Sequence, residues 1–353
     1  MKNMMTETHA TLAILLVCWI MLLTADVLIC GILKLIAGIP FKKAFLWGCI
    51  SLLVPPVAIA YGTLIERNIF KVRRVEITCP GLPAGFEGYR IVHISDLHAR
   101  SFDDREGILE KAVDKVNSLQ PDMVAFTGDM ITSEPGEMDD MTGILTDIVA
   151  KDGIFSVLGN HDYCLYSGMD AESREKGVER LIAIQQEMGW RVLMNENFVI
   201  GRGRDSIAVV GVENTSPSRH FPSKGNLTQA AAGTEGMFRI LLSHDPLHWE
   251  SEIIGQDFPL TLSGHTHSMQ FSLLGWSPSR YMFPQYRGLY STGKSGSSRS
   301  RSSGAEHHEN GNPDTDLRYL YVNPGLGETI FPARIGVLPE ITLITLKSHD
   351  SDR

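Results

Sequence analysis

A membrane hairpin of two helices followed by an α/β domain is the fold class this chain predicts, and three observations carry it. Two long apolar runs stand near the N-terminus, at residues 11–33 and 44–65. Five short β-rich apolar runs follow, each ending in a small residue and then a polar group able to bind a metal. Among them lie segments with the apolar spacing of amphipathic helices, and strands alternating with helices make an α/β domain.

The first run, TLAILLVCWIMLLTADVLICGIL, carries one charge, Asp26, and the second, AFLWGCISLLVPPVAIAYGTLI, carries none. Each is long enough to cross a hydrocarbon core, which takes about 20 residues of helix. The basic link KLIAGIPFKK is short, so the two pair as a hairpin. Pro55 and Pro56 predict a kink in the second span. A cleaved signal peptide fits poorly, because a second span follows and no A-x-A site stands out. Asp26 is expected to face the partner helix or to snorkel, rather than to act as a functional intramembrane carboxylate. Lys2, Arg67, Lys71, Arg73 and Arg74 flank the side shared by both termini, against Lys34, Lys42 and Lys43 on the hairpin side. That excess predicts a multi-pass cell-membrane protein whose C-terminal domain is cytoplasmic. The hairpin is assigned residues 1–68 and the soluble domain residues 69–353.

In the soluble part, KVRRVEITC (71–79) alternates and reads as a strand, closed by the turn signal PGLPAGFEG. The five apolar runs come next. RIVHI precedes SDLH, DMVAF precedes TGD, GIFSVL precedes GNHD, FRILL precedes SHDP, and FPLTL precedes SGHTH. Short continuous runs of this kind suit buried strands. Residues 106–119 place Ile108, Leu109, Ala112, Val113 and Val116 on one helical face, with Pro121 just beyond. A second helix is expected over 171–188. In such folds the loops past the carboxyl ends of the strands form the usual site.

Composition narrows the function. A formal net charge of −9 argues against binding nucleic acid by phosphate neutralisation. The five cysteines are scattered, with no C-x-x-C spacing, which disfavours a disulfide framework, a zinc ribbon or redox chemistry. The strand-end loops instead collect Asp96, His98, Asp129, Asn160, His161, His244, His265 and His267. Carboxylate, imidazole and amide oxygen without thiolate suit manganese, iron or zinc. Any lone D-x-H or H-x-H is more often a hydrogen-bonded structural pair. Five such motifs, each at a strand end, are hard to explain by packing. One metal cannot use all eight groups; two can, if a carboxylate bridges them.

The ordered series SDLH, GD, GNHD, SHDP, GHTH resembles the calcineurin-like metallophosphoesterase family, from about Arg90 to the C-terminus. PGLPAG, IVHISDLH and the tail LYVNPGLGETIFPARIGVLPEITLITL are similar to its membrane-anchored branch, a distant relation of UDP-diacylglucosamine pyrophosphatases. The resemblance implies a four-layer α/β/β/α sandwich with a binuclear centre at the strand ends. It assigns Asp96, His98 and His267 to one divalent metal, Asn160, His244 and His265 to the other, and Asp129 to both. Residues two apart on an extended loop point the same way, about 7 Å apart at Cα, which suits metals roughly 3.5–4 Å apart. His161 resembles the family's non-ligand catalytic histidine, with Asp162 as one candidate for its orienting partner. The chemistry implied is phosphoester hydrolysis, of phosphodiesterase or pyrophosphatase type, by a metal-bridging hydroxide. The substrate would be lipid-linked, such as UDP-diacylglucosamine, or another phosphorylated molecule. The alternative is an idle membrane protein that keeps the fold for metal sensing or partner binding; the intact ligand set argues against it. Two departures stand out. GDMITSE has only Glu134 where some members carry a second acid soon after GD, and Ser268-Met269 stand where the branch often has Gly-Gly.

Other segments have plainer readings. His93 is expected in the core or behind the ligands, and His248 is read as structural. Residues 293–316, rich in Ser and Gly, are expected to form a disordered insertion, with His307 and His308 in a solvated loop. Residues 269–286 are unusually aromatic. They form either a packed loop over the core or a lipid-facing lip in which Phe271, Leu274, Trp276 and Phe283 hold acyl chains.

Overall fold

The computed structural model describes residues 2–292, 298–300 and 317–348. Most of the expected 293–316 insertion, including His307 and His308, therefore lies outside the described residues.

The first span is one helix, α1 (Lys2–Ala37). The second is broken. Helix α2 (Phe41–Gly48) passes through a 3-10 stretch, Cys49–Leu53, into α3 (Val54–Leu64). Pro55 and Pro56 occupy the first turn of α3, where a missing N–H costs nothing and the fixed φ suits a helix start. The irregularity thus falls just before the prolines. Stretches 8–37 and 41–68 are long and apolar enough to cross a membrane, with none of the apolar window buried in the protein. Asp26 accepts a hydrogen bond from Ser51 (3.0 Å) across the hairpin and lies against Gly48.

The soluble part is a sandwich of two sheets. The first contains β1 (Lys71–Cys79), β2 (Arg90–Ile94), β3 (Met123–Phe126), β4 (Ile154–Ser156) and β5 (Arg191–Val192). The second contains β6 (Glu196–Arg202), β7 (Asp205–Gly211), β8 (Phe238–Leu242), β9 (Leu260–Ser263), β10 (Gly288–Thr292), β11 (Ser298–Ser300) and β12 (Tyr319–Val322). The last strand, β13 (Glu340–Ser348), returns to the first sheet between β1 and β2. From β2 to β5 every pairing is parallel, and β7, β8, β9 and β12 are parallel in turn.

Strand alternation builds the layers. Ile91, Met123, Ala125 and Phe155 of the first sheet meet Ile207, Val209, Ile240, Leu242 and Leu262 of the second in one buried core. Val92, Ile94, Val124 and Phe126 face the other way. They pack under α4 (Glu106–Ser118), α5 (Thr142–Thr146) and α6 (Ala171–Glu187). The outer face of the second sheet is covered by short helical turns at Leu227–Ala230 and Trp249–Ile253. These are the four α/β/β/α layers. β2, β3, β4, β8 and β9 all end at the same edge, so their trailing loops converge.

Candidate metal centre

The loop after β2 carries Asp96 and His98, and the loop after β3 carries Asp129. The turn after β4 carries Asn160 and His161. His244 follows β8, and His265 and His267 follow β9. The fold brings all eight together. Asp96, His98 and His267 offer ligand atoms within 4.8 Å of one another, as do His98, Asp129 and His161, and also Asp129, His244 and His265. His98 and His267 face each other through their Nε2 atoms at 3.0 Å. His265 Nδ1 lies 3.2 Å from His244 Nε2. Asp129 Oδ2 sits 3.2 Å from His244 Nε2 and 3.7 Å from His98 Nε2, and Asp96 Oδ1 is 3.1 Å from His267 Nε2.

The expectation of an extended H-x-H loop does not hold. His265 (φ 72°) and His267 (φ 47°) are left-handed, and His267 opens a tight turn through Gln270. The two rings part because the backbone turns between them. Asp96 (φ 50°), His98 (φ 44°) and Asp129 (φ 56°) are left-handed too. Such residues cost energy and persist where the surroundings over-determine them, typically at functional sites. Ser268 (φ 50°) and Met269 (φ 51°) continue the series. Glycine adopts this conformation without penalty, so Met269→Gly is expected to raise stability by about 1 kcal/mol. A shift of the denaturant midpoint to lower values would contradict this.

Close backbone approach holds the carboxylates. A Cβ on Gly264 would overlap Ser95 Oγ and Asp96 Oδ2, and one on Gly159 would overlap Asp129 Oδ1. Gly264→Ala is therefore expected to lose bound metal and about 1–3 kcal/mol of stability. Gly143→Ala, which meets nothing within 4 Å, serves as control. Thermal melting with elemental analysis checks both; equal behaviour of the two variants would contradict the close-approach reading.

The donor set fits divalent cations. Asn160 Oδ1 and His98 Nδ1 are buried without a hydrogen-bond partner. An imidazole pair with facing nitrogens can share only one hydrogen between them, so lone pairs converge here with too few donors. Burial opposes ionisation of Asp96 and Asp129, yet His267 beside the first and His244 beside the second hold both carboxyls below the usual range. Burial, then His161 and His267, drives His98 well below the ordinary imidazole value. Burial acts the same way on His244, but the Asp129 and Asp96 carboxylates override it and raise the group to about 10. The site thus draws positive charge inward, and a cation would displace that proton.

His161 is held differently. Its Nδ1 lies 2.7 Å from the Thr132 carbonyl, which can only accept, so Nδ1 carries the hydrogen and Nε2 is left for the cleft. Tyr166 lies against the ring, 4.4 Å between centroids. Asp162 is not the orienting partner. It is fully buried and accepts backbone N–H bonds from Asp129, Met130, Ile131 and Gly159, tying the loops after β3 and β4 together. Burial, then the Asp129 carboxylate, pushes Asp162 up to about 7. Glu137 fixes the Thr132 loop by accepting from the N–H groups of Thr132 and Ser133.

Sequence reasoning missed Thr132, Glu137 and Arg334. Arg334 is fully buried behind the site, reaching His267 Nδ1 (3.3 Å) and the carbonyls of Pro324 and Gly327. Arg334 left one signal, a charge amid apolar neighbours, whereas Glu137 lies in an acidic stretch and left none. His93 (hydrogen-bonded to Thr127) and His248 (between Ser243 and Glu252) are buried structural histidines. The cluster of Asp, His and Asn side chains opens into a cleft of about 460 Å³, of the size of small-molecule sites. Met269, Met282, Phe283, Phe221, Ile330 and Phe331 make its apolar wall.

A family model described as calcineurin-like phosphoesterase matches residues 89–269. A Danio rerio transmembrane protein with metallophosphoesterase domain is 30% identical over 310 residues, 84% of this chain and 62% of its own length. The chain thus spans under two thirds of that relative. Metallophosphoesterase YkuE of Bacillus subtilis (strain 168) is 27% identical over 82% of this chain and 89% of its own. The UDP-2,3-diacylglucosamine pyrophosphatase LpxG of Chlamydia muridarum (strain MoPn / Nigg) is 26% identical over 77% and 88%.

Proposed function

The chain belongs to the calcineurin-like phosphoesterase family, and from that premise we propose that it is a membrane-tethered phosphoester hydrolase working with two divalent cations, manganese, iron or zinc. Asp96, His98 and His267 would hold one cation, and Asn160, His244 and His265 the other, with Asp129 between them. The observation that carries this reading is Asp129, which takes part in two separate ligand groups and lies between His98 and His244. When bound, the cations supply Lewis acidity, activating water and offsetting charge on the phosphoryl oxygens.

The chain's own groups do the rest. The loops after β3 and β4, pinned by Asp162, fix Asp129 and Asn160 before substrate arrives. That preorganisation avoids rearrangement during the reaction. His161, anchored through Nδ1 on Thr132, turns Nε2 to the cleft. In its protonated form it donates to a phosphoryl oxygen or gives its proton to the leaving oxygen. The apolar wall takes the non-phosphate part of the substrate and excludes water from it.

The substrate we propose is a lipid-linked phosphodiester or pyrophosphate. The pyrophosphatase relative and the apolar cleft both support this choice. We place the catalytic domain on the cytoplasmic side, from the basic residues beside the spans. The test is turnover by detergent-purified full-length protein on phosphomonoesters, soluble phosphodiesters and UDP-linked lipids, with each metal added back after chelation. Preference for the lipid-linked diphosphate is the expected result. Turnover that survives complete chelation, or preference for soluble monoesters, would contradict it.

A further inference from the structure

The loop after the metal centre inverts the usual burial rule. Its polar side chains Ser268, Gln270, Ser277, Ser279 and Gln285 are at most 1% exposed. They are tied into the fold: Gln270 donates to the carbonyls of Phe331 and Ala333, Ser277 to that of Ser268, and Gln285 to Glu250. The large apolar side chains point out instead. Leu273, Trp276, Tyr281, Met282 and, beside them, Ile330 are all exposed, and Leu274 is 100% exposed. The expected choice between a packed loop and an apolar lip therefore resolves by residue: the polar groups pack, and most of the large apolar ones face outward. Phe271 and Phe283 are half-buried.

Leu274 is the clearest case. Leu273 and Trp276 exchange backbone hydrogen bonds around a two-residue tip in which Leu274 (φ 52°) and Gly275 (φ 85°) are both left-handed. Turns of this type favour Asn, Asp or Gly at the first position. A leucine there is strained and, in water, hydrates its whole side chain.

The lip also adjoins the membrane span. Ile335 and the Arg334 carbonyl press against Gly62 of α3. Glu66 accepts from the Gly336 N–H, and Arg67 donates to the Pro332 carbonyl. Ile335 in turn exchanges backbone hydrogen bonds with Gln270 and Ser272, next to Leu273. Gly62 lies in the last turn of α3, four residues before Glu66, the first charge after the span. The root of the lip is thus level with the end of the hydrocarbon layer. Trp and Tyr are the residues that favour that level.

We propose that the loop 273–282, with Ile330, is a second membrane contact that inserts into the headgroup layer of the bilayer holding the hairpin. The cleft, walled by Met282 and Ile330 of the same patch, then opens onto the membrane surface. Its substrate is an amphiphile whose phosphate is drawn from the bilayer without leaving it. This second statement rests on the hydrolase reading; the insertion itself does not.

The experiment uses full-length protein in phosphatidylcholine vesicles. Trp190 and Trp249 are buried, so in a Trp19→Phe/Trp47→Phe background Trp276 is the exposed indole among the described residues. Its emission is expected to be quenched by acyl chains brominated near the headgroup. Unquenched emission at the wavelength of a hydrated indole overturns the proposal. Separately, Leu274→Ser/Trp276→Ser is expected to lose about tenfold or more on the p-nitrophenyl phosphodiester of a diacylglycerol, the effect of no longer burying one large side chain. Its melting temperature and its rate on bis(p-nitrophenyl) phosphate should hold. Leu274→Phe/Trp276→Phe should restore the vesicle rate. A lowered melting temperature with both rates falling together overturns the proposal. Quenching without turnover on any phosphoester supports insertion and refutes the hydrolase reading alone.

Discussion

Asp129→Asn is expected to abolish most metal binding and to lower turnover by roughly 10³-fold, on the scale of losing one preorganised electrostatic group. The carboxylate lies between the two imidazole clusters, with Oδ2 facing His244 and His98 and Oδ1 accepting the His161 N–H (2.8 Å). An amide keeps the shape but offers one neutral oxygen where two charged ones served. The Asn side chain also points an N–H₂, which can only donate, into the space where a cation needs a lone pair. Elemental analysis alongside steady-state rates checks this. A variant that retains full metal and rate would show that Asp129 lies between the clusters without joining them.

His161→Ala is expected to keep its metal and lose turnover by about 10²–10⁴-fold, the usual range for a proton-transferring group. The separation follows from geometry. The Nδ1 of His161 is committed to the Thr132 carbonyl, and its ring is partly buried at the cleft, as is that of His265, whereas His98, His244 and His267 are buried. His161 does share a ligand cluster with His98 and Asp129. If metal content collapses together with activity in the alanine variant, the residue belongs to the ligand set.

The strand-end motifs were legible because parallel strands force their trailing loops to one edge. Any polar residue placed just after such a run lands there. The sandwich layers were legible in part. Runs such as RIVHI bury both faces, so periodicity could not say which side met the helices and which the second sheet. The left-handed backbone at Asp96, His98, Asp129, His265 and His267 was not legible, because such φ values are uncommon for any non-glycine residue, even though Asp and His adopt them more often than most. The role of Asp162 was hidden for a related reason. Adjacency to His161 suggested a side-chain partner, but the fold spends that carboxylate on four backbone N–H groups from two loops. The lip was half legible: its aromatic content showed, but which side chains faced out depended on serines and glutamines folding inward. Gly62, an ordinary small residue in an apolar span, gave no sign that the tail would dock on it.

The most direct measurement is metal stoichiometry against activity. Full-length protein in detergent is stripped with a chelator and titrated with manganese, iron or zinc, and bound metal per chain is read by elemental analysis at each rate. Two bound ions per fully active chain, with little activity at one, is the expected result. Full activity at one ion per chain or fewer would contradict a two-cation centre built on Asp129.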